Sequence, residues 1–163
     1  MRMRVKKFER SNFRAIAIIE NQRMTMAIES MLELLAGCTM RTGATESQIA
    51  SLQRWAATEL PSPYLDLLRK TNGVEGFVMD NSYLILWPTE DVRKNNEGYS
   101  VDEFAPGLML IGSNGGVTAY GFDTRRRTGE IIEVPFIGMS LDEVRAAGKD
   151  LEDFLRRIGS EQE

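Results

Sequence analysis

Residues 60–73 read LPSPYLDLLRKTNG, and this stretch decides the fold. Proline cannot donate an amide inside a helix but fits its first turn, so the two prolines predict that one helix stops and another starts here. Ser62 is the predicted N-cap of the second helix. Asn72 and Gly73 are predicted to end it, because both tolerate the left-handed conformation that helix C-termini often need. The stretch therefore predicts two short helices that meet at a proline corner and lead into a strand.

Upstream of the corner, apolar spacing predicts two helices. The first has an apolar face at helical spacing, followed by Gly37 as its C-terminal cap. The residues of this face are Met24, Ile28, Met31, Leu32 and Leu35. After a polar linker, Thr45 and Gln48 have the spacing of a capping box, which predicts a second helix that runs to about Glu59.

Downstream of the corner, short apolar runs separated by turn residues predict strands. The predicted strands are residues 76–79, 83–87, 108–111, 117–122 and 130–136. The last three follow one another as a meander, the first two of them joined by a glycine-rich turn at residues 112–116. Such a meander predicts an antiparallel sheet and not a parallel nucleotide-binding one. A brief helical turn is expected from Thr89 through Val92, and the polar residues 94–107 are expected to form a loop.

The chain closes with an amphipathic helix predicted over residues 150–158, with Gly159 as its stop. Its apolar residues recur at i, i+3, i+4 and i+7. They are Leu151, Phe154, Leu155 and Ile158.

Composition bounds the class of protein. The 163 residues fit one domain, and 42% apolar and 27% charged residues are near the values of ordinary soluble proteins. No apolar run approaches the roughly 20 residues needed to cross a bilayer. Cys38 is the single cysteine, so an intrachain disulfide is excluded and a cytoplasmic location is expected. The sequence has no histidine, which removes the commonest general base and the commonest zinc ligand and argues against several enzyme classes.

The net charge of -4 is unevenly distributed along the chain. Residues 1–23 carry seven Lys/Arg and two Glu, whereas residues 24–163 carry 13 basic and 22 acidic side chains. An acidic body repels phosphate backbones and favours basic partners, so direct binding of nucleic acid is not expected. Residues 1–23 are interpreted as a basic N-terminal extension, either a translation-start artefact or a loose arm, with a nucleic-acid or membrane arm as the alternative. Residues 24–163 are then the single domain.

Taken in order, these landmarks resemble the SUKH superfamily, the domain of the yeast cell-wall regulator proteins and of many bacterial immunity proteins. The resemblance covers residues 24–159. It is carried by the succession helix, Pro61, helix, Asn72-Gly73 and by three later segments. These segments are Leu110-Ile111-Gly112 with Gly115-Gly116, then Tyr120-Gly121-Phe122-Asp123, and last Asp153-Phe154-Leu155.

The resemblance implies an α+β fold in which N-terminal helices and a C-terminal helix pack against a mainly antiparallel sheet. It also implies a protein-binding domain that has no family catalytic residues to carry over. In bacteria such domains commonly neutralise toxins, many of them nucleases, by occluding them. The residues that match the family pattern are expected to have structural roles. They are Pro61, Asn72, Gly73, Gly112, Gly115 and Gly116.

The predicted partner surface combines aromatic rings with carboxylates. This combination suits a basic protein partner, because rings supply contact area while acidic groups speed encounter and bias selection. Its residues are Trp87, Glu90, Asp91, Glu97, Tyr99, Asp102 and Glu103. The alternatives are that Trp87 belongs to the core and that the charges keep a loop solvated.

The leading hypothesis is a cytoplasmic immunity protein that binds and blocks a basic toxin domain, without catalysis, cofactor, metal, membrane or nucleic acid. A second hypothesis is a regulatory scaffold of the same fold that binds an endogenous protein. A third, from another class, is a small hydrolase that uses carboxylates alone and therefore needs Asp or Glu side chains that converge in a cleft.

Overall fold

The computed structural model describes residues 2–160, with side chains from residue 10 onward. Within this range the chain forms six α-helices, seven strands and a short 3-10 helix, Leu141–Glu143. The helices are α1 (Arg2–Leu34), α2 (Glu46–Ala56), α3 (Ser62–Lys70), α4 (Thr89–Gly98), α5 (Val101–Phe104) and α6 (Leu151–Ser160). The strands are β1 (Thr39–Met40), β2 (Val74–Val78), β3 (Ser82–Leu86), β4 (Leu108–Ser113), β5 (Thr118–Asp123), β6 (Ile131–Pro135) and β7 (Arg145–Gly148).

The strands form one sheet in which each strand lies beside its neighbours in sequence, from β1 to β7. Every neighbouring pair is antiparallel. The predicted α+β class and antiparallel sheet are therefore confirmed. All six residues of β4 are buried, which makes it a central strand covered on both faces.

The core joins the sheet to helices from both ends of the chain. α1 and α6 lie against each other, and α3 lies against α1. The predicted apolar face of α6 is buried as expected, and Phe154 and Leu155 are fully inaccessible to solvent. The capping box of α2 is also confirmed, because Thr45 Oγ1 accepts from the Gln48 amide while the Gln48 side chain accepts from the Thr45 amide. α2 ends at Ala56, before the predicted end at Glu59, because Ala57 has a left-handed backbone with φ 52°.

The proline corner has the predicted helix on each side, with two differences. Pro61 is the N-cap of α3 and Ser62 its first helical residue, so the cap predicted at Ser62 lies one residue too late. α3 ends at Lys70, and Asn72 is not among the non-glycine residues with positive φ within residues 2–160. The left-handed role predicted for Asn72 is therefore wrong, whereas Gly73 does have a positive φ of 99°.

The largest difference from the prediction follows β3. The segment expected as a brief turn and a long loop forms α4 and α5. The buried residues of α4 are Thr89, Val92 and Asn96. Two of these three are polar, so the sequence lacks the apolar stripe by which an amphipathic helix is recognised.

Two glycines have a different role from the one predicted. Gly112 lies inside β4 and not in the turn. The position requires glycine because a Cβ atom there would come within 2.1 Å of the Ile85 carbonyl oxygen on β3. Gly115 has a φ of 77° and remains in the turn beside Gly116. Gly159 lies inside α6 and does not stop it; a Cβ atom there would come within 2.8 Å of Met79 Sδ, so it permits close packing.

α1 begins well before the helix predicted from Met24 and runs unbroken through the predicted boundary at residue 24. All side chains from Arg10 to Met26 are exposed, whereas Ile28, Met31 and Leu35 are buried in the core. The C-terminal part of α1 is therefore part of the domain, and the boundary at residue 24 stays a prediction. No helix within residues 2–160 has the length and apolar composition needed to span a bilayer.

A polar network joins α1 to α6. Ser30 Oγ donates to Glu152 Oε1 at 2.8 Å, and Arg156 Nη2 donates to both, at 2.7 Å each. The hydrogen bonds from Arg156 and Ser30 lower the pKa of the Glu152 carboxyl group from its ordinary value of 4.5. The network therefore stabilises the folded state when Glu152 is ionised.

Tyr64 has a buried hydroxyl group without a hydrogen-bond partner among residues 2–160. Its ring packs edge-on against Phe122 with centroids 5.4 Å apart, and burial strongly raises the pKa of its phenol. The ring is therefore part of the packed core, while the hydroxyl group pays a desolvation penalty that no bond offsets.

We expect Tyr64→Phe to leave the free energy of unfolding unchanged or to raise it by about 1 kcal/mol, because it removes an unsatisfied buried group and keeps the ring. Urea unfolding measures this. The matched control is Tyr83→Phe, which loses the 2.7 Å bond from Tyr83 Oη to Glu75 Oε1 and should destabilise slightly. A clear loss of stability in Tyr64→Phe would show that its hydroxyl group has a partner.

We expect Glu152→Gln to lower the free energy of unfolding at neutral pH by on the order of 0.5 kcal/mol, because the network is partly exposed to solvent. Because the pKa of Glu152 is lower in the folded state, its contribution to stability is fully present above the unfolded-state pKa near 4.5. The contribution is lost as the pH falls through the folded-state pKa. The difference between the two proteins, measured in urea, should narrow as the pH falls below about 5. Glu143→Gln, an exposed change outside α1, is the control; a difference that stays equally large at acid pH contradicts the assignment.

Candidate protein-binding face

The side chain of Asn96 holds α4 against the sheet. β3 pairs with β4 at Gly112 and Ser113, and α4 packs beside the earlier part of β4. The Asn96 amide is buried there: Nδ2 donates to the Leu110 carbonyl oxygen at 2.8 Å, and Oδ1 accepts from the Leu110 amide at 2.9 Å. A single side chain thus pairs with both backbone groups of Leu110, as a neighbouring strand would.

Asn72 fixes the other end of α4. Its Oδ1 accepts from the Thr89 amide at 2.8 Å, and its Nδ2 donates to Glu90 Oε2 at 3.0 Å. Thr89 is the first residue of α4, and its amide is one of the groups that a helix leaves unpaired at its N-terminus. A side chain that follows α3 therefore caps α4.

Glu90 is held in its ionised form at this junction. Hydrogen bonds from its own backbone amide, Asn72 and Thr89, with the nearby charge of Arg41, lower the pKa of its carboxyl group. Its side chain is also about half exposed, with Arg41 Nη1 at 3.9 Å. Glu90 therefore contributes negative charge to the surface as well as capping the helix.

We call the surface formed by residues 89–104 the α4–α5 face. It carries five acidic and two basic side chains. Glu97, Asp102 and Glu103 line one cleft of about 460 Å³ between the end of α2 and α4–α5. Within residues 2–160 these carboxylates do not form a group close enough to hold a metal ion.

The seven predicted partner residues are placed differently from one another. Trp87 is only 8% exposed and belongs to the core, so its place on the predicted surface is corrected. Tyr99 is 45% exposed and lies against Phe136, with ring centroids 4.4 Å apart. Asp91 is half-buried, and Glu90 lines a separate groove of about 290 Å³ between α2 and α4.

Sequence reasoning missed the aromatic residue that joins these two depressions. Trp55, on α2, is half-buried and lines both the cleft and the groove. It falls at the margin of the apolar stripe of α2, a position typical of a side chain that is partly covered.

An exposed apolar patch beside Tyr99 was also missed. The Phe136 amide donates to the Val117 carbonyl oxygen, which brings the end of β6 to the turn between β4 and β5. Val117 and the following Ile137 are exposed, Ile137 to 84%. The two residues are far apart in sequence, so no local pattern marks the patch.

A second cleft, of about 410 Å³, lies between the proline corner and the β5–β6 turn. Its charges are mixed, because Arg126 and Arg127 line it together with the acidic residues Glu59, Asp123, Glu130 and Asp150. Arg125 forms a two-pronged pair with the buried Asp123, at 2.9 and 2.8 Å, and this pairing lowers the pKa of the Asp123 carboxyl group. The turn formed by residues 125–127 is thus attached to β5 through Arg125. Of the two surfaces, the α4–α5 face is the more strongly acidic, because only acidic side chains carry charge in its larger cleft.

A model of the SMI1 / KNR4 family (SUKH-1) matches residues 43–157, more than half of the chain. The chain belongs to this family. No curated protein matches it. The SUKH-1 match confirms the resemblance read from the sequence, and it is consistent with immunity or regulatory protein binding. It includes α2, the α4–α5 face and the sheet from β2 to β7, whereas α1 precedes it.

For this SUKH-1 domain we expect Asn96→Ala to lower the free energy of unfolding by about 3 kcal/mol, because it strips the partner from both buried backbone groups of Leu110. Asn95→Ala, on the same helix and half-buried, should change it by less than about 0.5 kcal/mol. Urea unfolding of the two variants tests the attachment. Equal effects would show that the Asn96 amide does not anchor α4.

Proposed function

We propose that this SUKH-1 protein is a cytoplasmic immunity protein that neutralises a cognate toxin by binding it directly, and that the α4–α5 face is its binding surface. The observation that carries the proposal is the cleft lined by Glu97, Asp102 and Glu103 with Trp55 on its wall. Exposed carboxylates beside a partly covered aromatic ring fit a basic protein surface.

The chemistry of the cleft favours a Lys or Arg side chain from the partner. Its volume of about 460 Å³ accommodates such a side chain, and an Arg guanidinium group pairs with a carboxylate through two hydrogen bonds. Trp55 lines the same cleft, and an indole ring is the aromatic group that attracts a cation most strongly. The acidic body around the cleft speeds encounter with a basic partner and disfavours nucleic acid.

This role depends on surface complementarity and requires neither a cofactor nor a reaction. The apolar patch of Tyr99, Phe136, Val117 and Ile137 adds area that a partner can cover beside the acidic residues. Exposed rings and aliphatic groups of this kind supply most of the binding free energy in protein interfaces, while the charges select the partner. A regulatory scaffold would use the same surface for an endogenous protein.

The test uses the polypeptide encoded by the neighbouring gene as the probe. The variant Glu97→Lys, Asp102→Lys, Glu103→Lys should bind it at least about tenfold more weakly, chiefly through slower association, and with a weaker dependence on salt. Biolayer interferometry across a salt series measures all three quantities. Protection from growth arrest on co-expression then separates immunity from scaffolding.

The matched control reverses three exposed acidic residues outside the α4–α5 face and α1: Glu59→Lys, Asp142→Lys, Glu143→Lys. It changes the net charge by the same amount. If the α4–α5 face itself binds the partner, the control should keep its affinity, whereas a general effect of net charge would weaken both variants. Circular dichroism should show both variants folded. If the two variants bind equally well, the α4–α5 face is not the binding surface.

A further inference from the structure

The N-terminal part of α1 exposes an unusual amount of apolar surface. We call residues 10–26 the arm, because every side chain in this segment is exposed. Six of these are large apolar side chains, and Phe13 is 73% and Met26 69% exposed. The others are Ile16, Ile18, Ile19 and Met24. Apolar side chains exposed at this density mark a surface that another molecule covers.

The directions in which these side chains point distinguish a protein partner from a membrane surface. Successive residues of a helix point roughly 100° apart, so Ile16 and Ile19 share one face of the helix whereas Ile18 points to another. A helix that lies on a membrane keeps its apolar residues on one side. An arm whose apolar residues extend beyond one face fits a protein environment, which contacts more than one side.

The arm cannot fold back onto its own domain. α1 is a continuous helix, and its sequence contains neither proline nor glycine, the usual causes of a sharp bend. Its C-terminal part is fixed in the core by Ile28, Met31 and Leu35, and Ser30 links it to α6. The arm therefore projects about 25 Å from the domain and is available to a second molecule.

The base of the arm has a matching groove. Between α1 and α3 lies an apolar groove of about 240 Å³, with Met24, Ala27, Ile28 and Pro63 among its lining residues and Asp66 beside them. It is continuous with the arm, since Met24 belongs to both.

The two ends of α1 carry opposite charge. The arm carries Arg10, Arg14 and Arg23 against the one acidic residue Glu20, whereas its continuation toward the core carries Glu29 and Glu33. Two arms side by side in parallel would bring arginine against arginine. Two antiparallel α1 helices would instead bring Arg10 and Arg14 toward the acidic end of the other copy.

We infer that the arm pairs with a second copy of this chain in an antiparallel two-fold dimer, in which each arm fills the α1–α3 groove of the other copy. Two-fold symmetry repeats each contact, so the interface contains two identical pairs of an arm and a groove. Apolar burial holds the dimer together, and the divided charge of α1 sets its direction.

Sedimentation velocity of the full chain over a concentration series tests the dimer. The parent chain should shift from monomer to dimer as its concentration rises. Phe13→Glu with Ile16→Glu should raise the dimer dissociation constant at least about tenfold. Val117→Glu with Ile137→Glu makes the same change at exposed apolar residues outside α1 and should leave that constant unaltered. A parent chain that stays monomeric up to its solubility limit overturns the inference.

A charge exchange tests the direction. Arg10→Glu with Arg14→Glu should weaken the dimer, and Glu29→Arg with Glu33→Arg should weaken it too, whereas the four changes together should restore it. A parallel arrangement predicts little change for the first variant, because it would only replace repulsion between arginines with repulsion between glutamates. Failure of the combined variant to recover, or binding of a monomeric chain to anionic vesicles or duplex DNA, overturns the antiparallel dimer.

Discussion

The pairing of the Asn96 side chain with the backbone of Leu110 is the interaction on which the candidate face depends. A central strand that lacks a neighbouring strand along part of its length exposes peptide groups that are costly to bury. A carboxamide places an N–H donor beside a carbonyl acceptor in the spacing of a peptide, so it closes this gap without another strand. Because Asn96 lies on α4, the same bonds fix the position of the helix, and α5 follows from it.

Asn72 makes the attachment of α4 two-sided. One asparagine binds the first turn of the helix and another binds near its end, so the helix cannot slide or rotate on the sheet. Its buried side is consequently polar and fully bonded at these positions, and its other side is free to carry charge. The acidic residues of the α4–α5 face are thus placed by bonds to the opposite side of the same helix.

The sequence predicted the elements that local chemistry determines. Thr45 with Gln48 marks a helix start, and the spacing of Leu151, Phe154 and Ile158 marks a buried helix face; both signals lie within a few residues. Only the first turn of α4 was predicted as helical and the rest as a loop, because the attachment of α4 depends on Leu110 and Asn72, which are distant in sequence. Gly112 was assigned to a turn because its close approach to Ile85 is likewise a contact between separate strands. The candidate site follows the same division: its acidic residues were predicted, but Trp55 and Ile137 reach it through tertiary packing.

The rigidity of α1 has a consequence for the charge of the whole protein. A basic segment and an acidic domain in one chain attract each other, and a flexible linker between them would let the segment cover the acidic face. A continuous helix prevents this, because its end is held away from the domain to which it is attached. The acidic surface therefore stays accessible to other molecules, and the basic arm can be neutralised only by a separate one. The α4–α5 face and the arm are thus separate surfaces of opposite charge that cannot cover each other within one chain.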